Sequence, residues 1–220
     1  MTRVTADVRR ATNMLVVKVK ICGITNYKDA AAAIDMGADL LGFNFYPKSP
    51  RYIPVDKAAE IINKLPAFTD MAGVFVNASF EQIQWAIESC QLNWVQLHGD
   101  ESPQFCQSFL SVNVKTMKAL RVKDKNDIQQ AEKFFTDAIL LDAFDPGKYG
   151  GTGVAFDWNM IGHIGKRVFL SGGINPYNAA KAIELGVYGI DVCSGIESQP
   201  GKKDHAKMRK LFDKIKDLRG

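Results

Sequence analysis

The sequence predicts an α/β protein folded as one closed (β/α)8, or TIM, barrel, and three observations carry that expectation. Eight short apolar runs recur, at residues 16–21, 39–45, 71–76, 94–98, 114–120, 138–142, 167–171 and 189–193. Most lack an apolar–polar alternation, as befits parallel strands buried on both faces. A helix-like stretch or a helix-start signal follows nearly every run, and strands alternating with helices build parallel units. Eight units within residues 16–220 suit a compact barrel slightly below the usual size, with an open doubly wound sheet as the alternative. No Pro-, Gly- or Ser-rich linker divides this stretch, so it reads as one domain. Residues 1–15 read as a polar extension, expected to be disordered, with Met14 as the working start. Asp7 argues against a transit peptide.

Taken in order, the first run ends in Cys22-Gly23. Tyr27, Ala30, Ala31 and Ile34 then follow the i, i+3, i+4, i+7 rule of an amphipathic helix that Gly37 should end. The second run leads into Pro47-Lys48-Ser49-Pro50-Arg51-Tyr52, a loop whose prolines should hold its shape. Ser79 and Gln82 have capping-box spacing after the third run. The fourth carries Gln96 and His98 toward its end. Ser102-Pro103 and Asn175-Pro176 each place a cap before a proline at the first helical position. The sixth run ends in Asp142 and opens a glycine-rich loop at residues 144–153, which suits a flexible cover. Gly186 should end the helix before the eighth run. Met208, Leu211, Phe212 and Ile215 form the apolar stripe of a last helix.

Composition narrows the function. The chain has 220 residues, 46% of them hydrophobic, which is enough for a sizeable core. No apolar run reaches the roughly 18 residues of a membrane span. The net charge of +4 is mild. Basic residues are scattered rather than clustered as nucleic-acid binding requires, except in the Lys202–Arg219 region, which reads as a solvated helix face. The mild positive charge suits an anionic substrate. The four cysteines form no C-x-x-C pair and the three histidines lie apart from them, so no metal site is expected. Free thiols fit a cytoplasmic protein.

In such a barrel the chemistry gathers at the C-terminal ends of the strands. Cys22 and Asp142 each stand at such an end, and a thiol facing a carboxyl suggests a general base and a general acid. An inert buried thiol is the competing reading of Cys22. A carboxyl directly after three apolar strand residues is rarely buried without a purpose or partner. Arg51 could clamp a carboxylate or phosphate through two parallel hydrogen bonds. Gly172-Gly173 follows the seventh run and Ser194-Gly195 the eighth, where barrels commonly bind phosphate on backbone N–H groups. His98 and Gln96 point toward the same rim, as substrate contacts or as a satisfied donor without a role. Cys90 and Cys106 read as structural, and Cys193 is assigned no chemistry.

Seven motifs then occur in order: Lys20-Ile21-Cys22-Gly23-Ile24-Thr25, Ser49-Pro50-Arg51, Val95-Gln96-Leu97-His98-Gly99, Leu140-Leu141-Asp142-Ala143, Gly150-Gly151-Thr152-Gly153, Phe156-Asp157-Trp158, and Asp191-Val192 followed by Ser194-Gly195 and Glu197. Over about residues 18–215 the chain resembles the phosphoribosylanthranilate isomerases of tryptophan biosynthesis. The resemblance implies a (β/α)8 barrel and a cofactor-free Amadori rearrangement of N-(5-phosphoribosyl)anthranilate. It implies that Asp142 is the acid that opens the furanose ring and Cys22 the base that takes the proton from sugar C2. Arg51 matches the arginine for the anthranilate carboxylate, and the two glycine loops match the phosphate site. The implied partner is a small phosphorylated anthranilate–sugar, with no nucleic acid or membrane, in a monomer or homodimer. Ser171 stands where an alanine is expected, and Cys193 where the family often has serine. Two rivals stay open. One is the sugar isomerase of histidine biosynthesis, which uses an aspartate where Cys22 stands. The other is a barrel that binds a phosphorylated ligand without turning it over.

Overall fold

The computed structural model describes residues 16–144, 156–162 and 164–219. Eight parallel strands close into a barrel in sequence order: β1 (Lys18–Cys22), β2 (Leu40–Asn44), β3 (Asp70–Phe75), β4 (Trp94–Leu97), β5 (Lys115–Val122), β6 (Ala138–Ala143), β7 (Arg167–Leu170) and β8 (Gly189–Val192). Closure comes from β1, which pairs with β2 on one side and β8 on the other. All eight strands fall within two residues of the runs expected from the sequence.

The strands show no alternation because each face meets a different apolar layer. Outward-facing Val19, Ile21, Leu41, Phe43, Val95, Leu97, Ile139 and Leu141 pack with the helices in one large core. Inward-facing Leu40, Ala72, Trp94, Met117, Ala119, Ala138, Leu140 and Phe169 fill the N-terminal part of the barrel as a second cluster. Both faces being dry, polar residues appear inside only where something pairs with them. The clearest instance is Lys20, paired with Asp191 across the β1–β8 seam, where the two are register partners.

The helices follow their local signals. Asn26 caps α1 (Tyr27–Asp35) by accepting from the Asp29 amide, and Gly37 leaves it at φ 102°. Ser79 and Gln82 form the reciprocal capping box of α3 (Phe80–Cys90), which follows α2 (Val55–Ile62). Ser102 caps α4 (Pro103–Gln107) with proline in its first turn. The short α5 (Lys125–Gln129) has its own capping box from Asp124 and Asp127. α7 (His205–Ile215) buries Met208, Leu211, Phe212 and Ile215 as expected.

Two expectations change, and one element is additional. The helix after β7 does not begin at Pro176; α6 spans Ala179–Glu184. Asn175 accepts from the Tyr177 amide at 2.9 Å, and Asn178 accepts from the Asn175 amide at 2.8 Å. These side chains bond the backbone locally and hold the proline segment as a turn. A two-stranded hairpin, β9 (Glu197–Gln199) with β10 (Lys202–Lys203), follows β8, turned at Pro200-Gly201 with Gly201 at φ 78°. The Lys202–Arg219 region is also not uniformly solvated, because Lys203 is buried and points back toward β1. The expected N-terminal extension, and the glycine-rich loop apart from Phe144, lie outside the described residues. No helix among the described residues is long and apolar enough to cross a membrane.

Candidate active site

The C-terminal rim collects every predicted site residue. Cys22 ends β1 and is buried; Asp142, the fifth residue of β6, is buried three strands away around the barrel. Side chains alternate along a strand, so Lys20 and Cys22 share the inner face of β1, and Cys193 follows β8 directly, two residues after the inward Asp191. The interior above the apolar cluster is therefore a charged layer with two thiols on top.

Asp142 Oδ1 accepts from the Ala143 amide at 3.0 Å, and Oδ2 lies 3.3 Å from His98 Nε2. That approach is too oblique for a hydrogen bond, and Nε2 has no bonded partner among the described residues. The other ring nitrogen, Nδ1, is 2.7 Å from Gln96 Nε2. With the amide as donor, Nδ1 is the acceptor and the ring proton sits on Nε2, facing Asp142. Gln96 Oε1 is likewise buried without a partner. Buried polar atoms are normally satisfied, so among the described residues these two keep unused hydrogen-bonding capacity at the rim.

Arg51 is placed differently from expectation. Its Nε donates to Glu197 Oε1 and Oε2 at 3.0 and 3.1 Å, and Nη2 donates to Oε2 at 2.7 Å. The Nε–Nη2 edge is thus taken by a protein carboxylate, and only the Nη1 side remains to meet a ligand. Glu197 also receives Lys203 Nζ at 2.9 Å on Oε1. Burial disfavours its charge, but the bonds from Arg51 and Lys203 outweigh this and hold it below the usual carboxylate range.

The glycine loops have the expected character. Gly172 (φ 84°) has no room for a side chain: an added Cβ would lie 2.7 Å from the Ala143 nitrogen and 3.1 Å from Asp142 Oδ1. At Gly195 the same Cβ would fall 2.0 Å from the Ile174 carbonyl oxygen, so the two loops touch through backbone. Among the described residues no hydrogen bond uses the backbone N–H of Gly172, Gly173, Ser194 or Gly195. A cradle of free N–H groups between β7 and β8 suits a phosphate.

Cys22 lies among cations. Beside the Cys193 thiol its pKa falls well below that of an ordinary thiol; burial opposes this, and Lys20 and Lys203 assist. Lys203 Nζ also donates to the Cys22 carbonyl at 2.6 Å. Beneath, Lys20 Nζ sits 2.8 Å from Asp191 Oδ1, and Ser171 Oγ reaches Asp191 Oδ2 at 3.3 Å. Burial pushes the Asp191 carboxyl up to about 6 against the pull of Lys20. Cys90 and Cys106, by contrast, are pushed up to about 11 by burial, in keeping with a structural role.

Sequence reasoning gave no role to Lys20, Asp191, Glu197 or Lys203. Three lay inside quoted motifs, and one signal was available: Lys20 and Asp191 interrupt apolar strands two residues before a cysteine, hence on the same face. Lys203 carried no signal, since it sits among exposed lysines.

Known proteins were compared with this chain. A family model described as N-(5'phosphoribosyl)anthranilate (PRA) isomerase matches residues 19–214. The N-(5'-phosphoribosyl)anthranilate isomerase of Geotalea uraniireducens is 46% identical over 205 residues, covering 91% of this chain and 99% of the relative. That of Citrifermentans bemidjiense is 44% identical, with 91% and 98% covered. Among solved structures, the phosphoribosyl anthranilate isomerase of Thermus thermophilus superimposes with a TM-score of 0.84 at 34% identity, covering 92% of this chain and 100% of its own. A phosphoribosyl anthranilate isomerase solved with reduced 1-(o-carboxyphenylamino)-1-deoxyribulose 5-phosphate gives 0.77 at 38%, covering 91% and 99%. Monomers generated from the dimeric Thermotoga maritima enzyme give 0.78 at 37%, covering 91% and 99%.

Proposed function

Because the chain belongs to the N-(5'-phosphoribosyl)anthranilate isomerase family, we propose that Cys22 and Asp142 are the base and acid of its reaction. The protein is an aldose–ketose isomerase of tryptophan biosynthesis that converts N-(5'-phosphoribosyl)anthranilate to 1-(2-carboxyphenylamino)-1-deoxyribulose 5-phosphate. Asp142 delivers a proton to the furanose ring oxygen as the C1–O bond breaks, and the nitrogen lone pair forms an iminium. The Cys22 thiolate removes the C2 proton, giving an enolamine. Gain of a proton at C1 and loss of the C2 hydroxyl proton yield the ketone. Only protons move in net, so no redox cofactor is required. Positioned acid and base groups of this kind contribute about 10²- to 10⁴-fold each.

The observation that carries the assignment is the contrast between the two buried groups. The thiol lies among cations that favour its charged form, while among the described residues the carboxyl on the far side of the mouth meets a backbone N–H and a misaligned imidazole. The Nη1 side of Arg51 receives the anthranilate carboxylate, and the N–H cradle of Gly172, Gly173, Ser194 and Gly195 receives the phosphate. Gln96 Oε1 and His98 Nε2 complete their bonding with sugar hydroxyls. The chain acts as a monomer or homodimer; the dimeric relative supports the second form. A cytoplasmic setting keeps its free thiols reduced.

The test is turnover of freshly generated phosphoribosylanthranilate, followed by loss of anthranilate-type fluorescence, in wild type, Cys22→Ser and Asp142→Asn. Wild-type activity that falls by orders of magnitude in both variants supports the assignment. An active Cys22→Ser removes the base, and a folded wild type without turnover removes the reading altogether.

A further inference from the structure

We propose that Cys193 is a positioning residue for the base: its S–H donates to the Cys22 sulfur and keeps that sulfur, rather than its own, as the thiolate. The inference rests on Cys22 being the base of the reaction.

Geometry brings the thiols together. Ile21 and Val192 are register partners on the adjacent strands β1 and β8, so Cys22 and Cys193 are the next residues along a shared edge. A Cβ added to Gly23, directly after Cys22, would lie 3.0 Å from Cys193 Sγ and 2.7 Å from Arg51 Cδ. The second thiol therefore overhangs the turn that presents the first. Its other acceptor is poor. Glu197 Oε1 is 3.8 Å from Cys193 Sγ and already receives Arg51 Nε, Lys203 Nζ and the Gly201 amide. The S–H is free to turn toward Cys22.

Charge decides which sulfur ionises. Lys20 on β1, Arg51 after β2 and Lys203 on β10 bring three cations; Asp191 on β8 and Glu197 on β9 bring two carboxylates. The cluster lacks one negative charge, and one thiolate supplies it. Asp142 on β6 and His98 after β4 face the same mouth and form a separate pair. Lys20 favours Cys22: a Cβ on Gly42 would lie 2.9 Å from Cys22 Sγ and 3.0 Å from Lys20 Nζ, so thiol and ammonium converge over the same glycine. Glu197 disfavours charge on Cys193, with Oε1 3.8 Å from its sulfur against 3.9 Å for Lys203 Nζ.

The experiment is alkylation of the full-length protein by iodoacetamide across a pH series, with the modified residue identified by mass spectrometry, alongside the pH profile of kcat/KM. In wild type, Cys22 is modified first and at lower pH than Cys193. Cys193→Ala raises the Cys22 midpoint and the acid limb of kcat/KM together by about one pH unit, the value of one hydrogen bond to a charged group. Cys193→Ser, which keeps a donor, restores most of the shift. Preferential modification of Cys193 in wild type overturns the proposal without any variant. So does a Cys193→Ala midpoint identical to wild type. If instead the midpoint moves as expected while Cys22→Ser retains full turnover, the thiol pair stands and the base assignment fails.

Discussion

Lys20 Nζ lies 2.8 Å from Asp191 Oδ1 inside the barrel, where both side chains are sealed from solvent and β1 meets β8. A buried pair of this kind is weak evidence for stability, since apolar residues of similar size do as well, yet breaking it from one side is costly. Its ammonium also faces Cys22, so the pair borders the candidate site as well as the core.

Lys20→Met leaves Asp191 buried and unpaired. The expected loss is about 3–5 kcal/mol of unfolding free energy, measured by denaturant titration. A Lys20→Met/Asp191→Leu double variant recovers most of that stability but not activity, because the thiol has lost its cation. Equal stability of the single variant and wild type would refute this.

Glu197→Gln keeps the shape of the Arg51 partner but removes its charge. The guanidinium is then less firmly aimed, and the substrate's KM should rise by about tenfold, with a smaller fall in kcat. Steady-state kinetics decide it: a fall confined to kcat would mean that Arg51 does not serve binding.

The same carboxyl gives a pH signature in stability. Its folded pKa lies below the unfolded one, so it contributes stability above the unfolded value and loses that contribution as pH falls through the folded value. Below about pH 4.5, wild type should lose stability more steeply than Glu197→Gln, as read by melting temperature across pH.

Gly172→Ala places a methyl group 2.7 Å from the Ala143 nitrogen, on a residue with positive φ beside Asp142. The backbone must shift, costing about 1–2 kcal/mol from the left-handed conformation alone. Both inorganic phosphate affinity and kcat should fall, measured by phosphate inhibition and turnover. An unchanged phosphate affinity would place the anion elsewhere.

Much of this was legible beforehand, for identifiable reasons. Strands buried on both faces need uninterrupted apolar runs, so Val19, Leu41, Val95 and Ile139 announced themselves. Capping is local chemistry, so Ser79, Gln82 and Ser102 were readable at a glance. Asn175 misled because the same side chain that caps helices also makes turns, and Asn178 decided between them. Cys22 and Asp142 stood out as a thiol and a carboxyl at strand ends, and the structure places them there. What could not be read was the company they keep. Lys203 reaches Cys22 across 181 residues of sequence, and Glu197 reaches Arg51 across 146. Such contacts follow from closure and from the β9–β10 hairpin, which local patterns do not specify.

Closure across the seam has one more consequence. Lys20 and Asp191 stand 171 residues apart in sequence, and Cys193, Glu197 and Lys203 come later still. While the chain is being synthesised, Cys22 emerges early as an ordinary, weakly nucleophilic thiol. Lys203 and the Cys193 thiol arrive only once the final strand has docked. The last β/α unit therefore completes the surroundings of Cys22 as well as the ring.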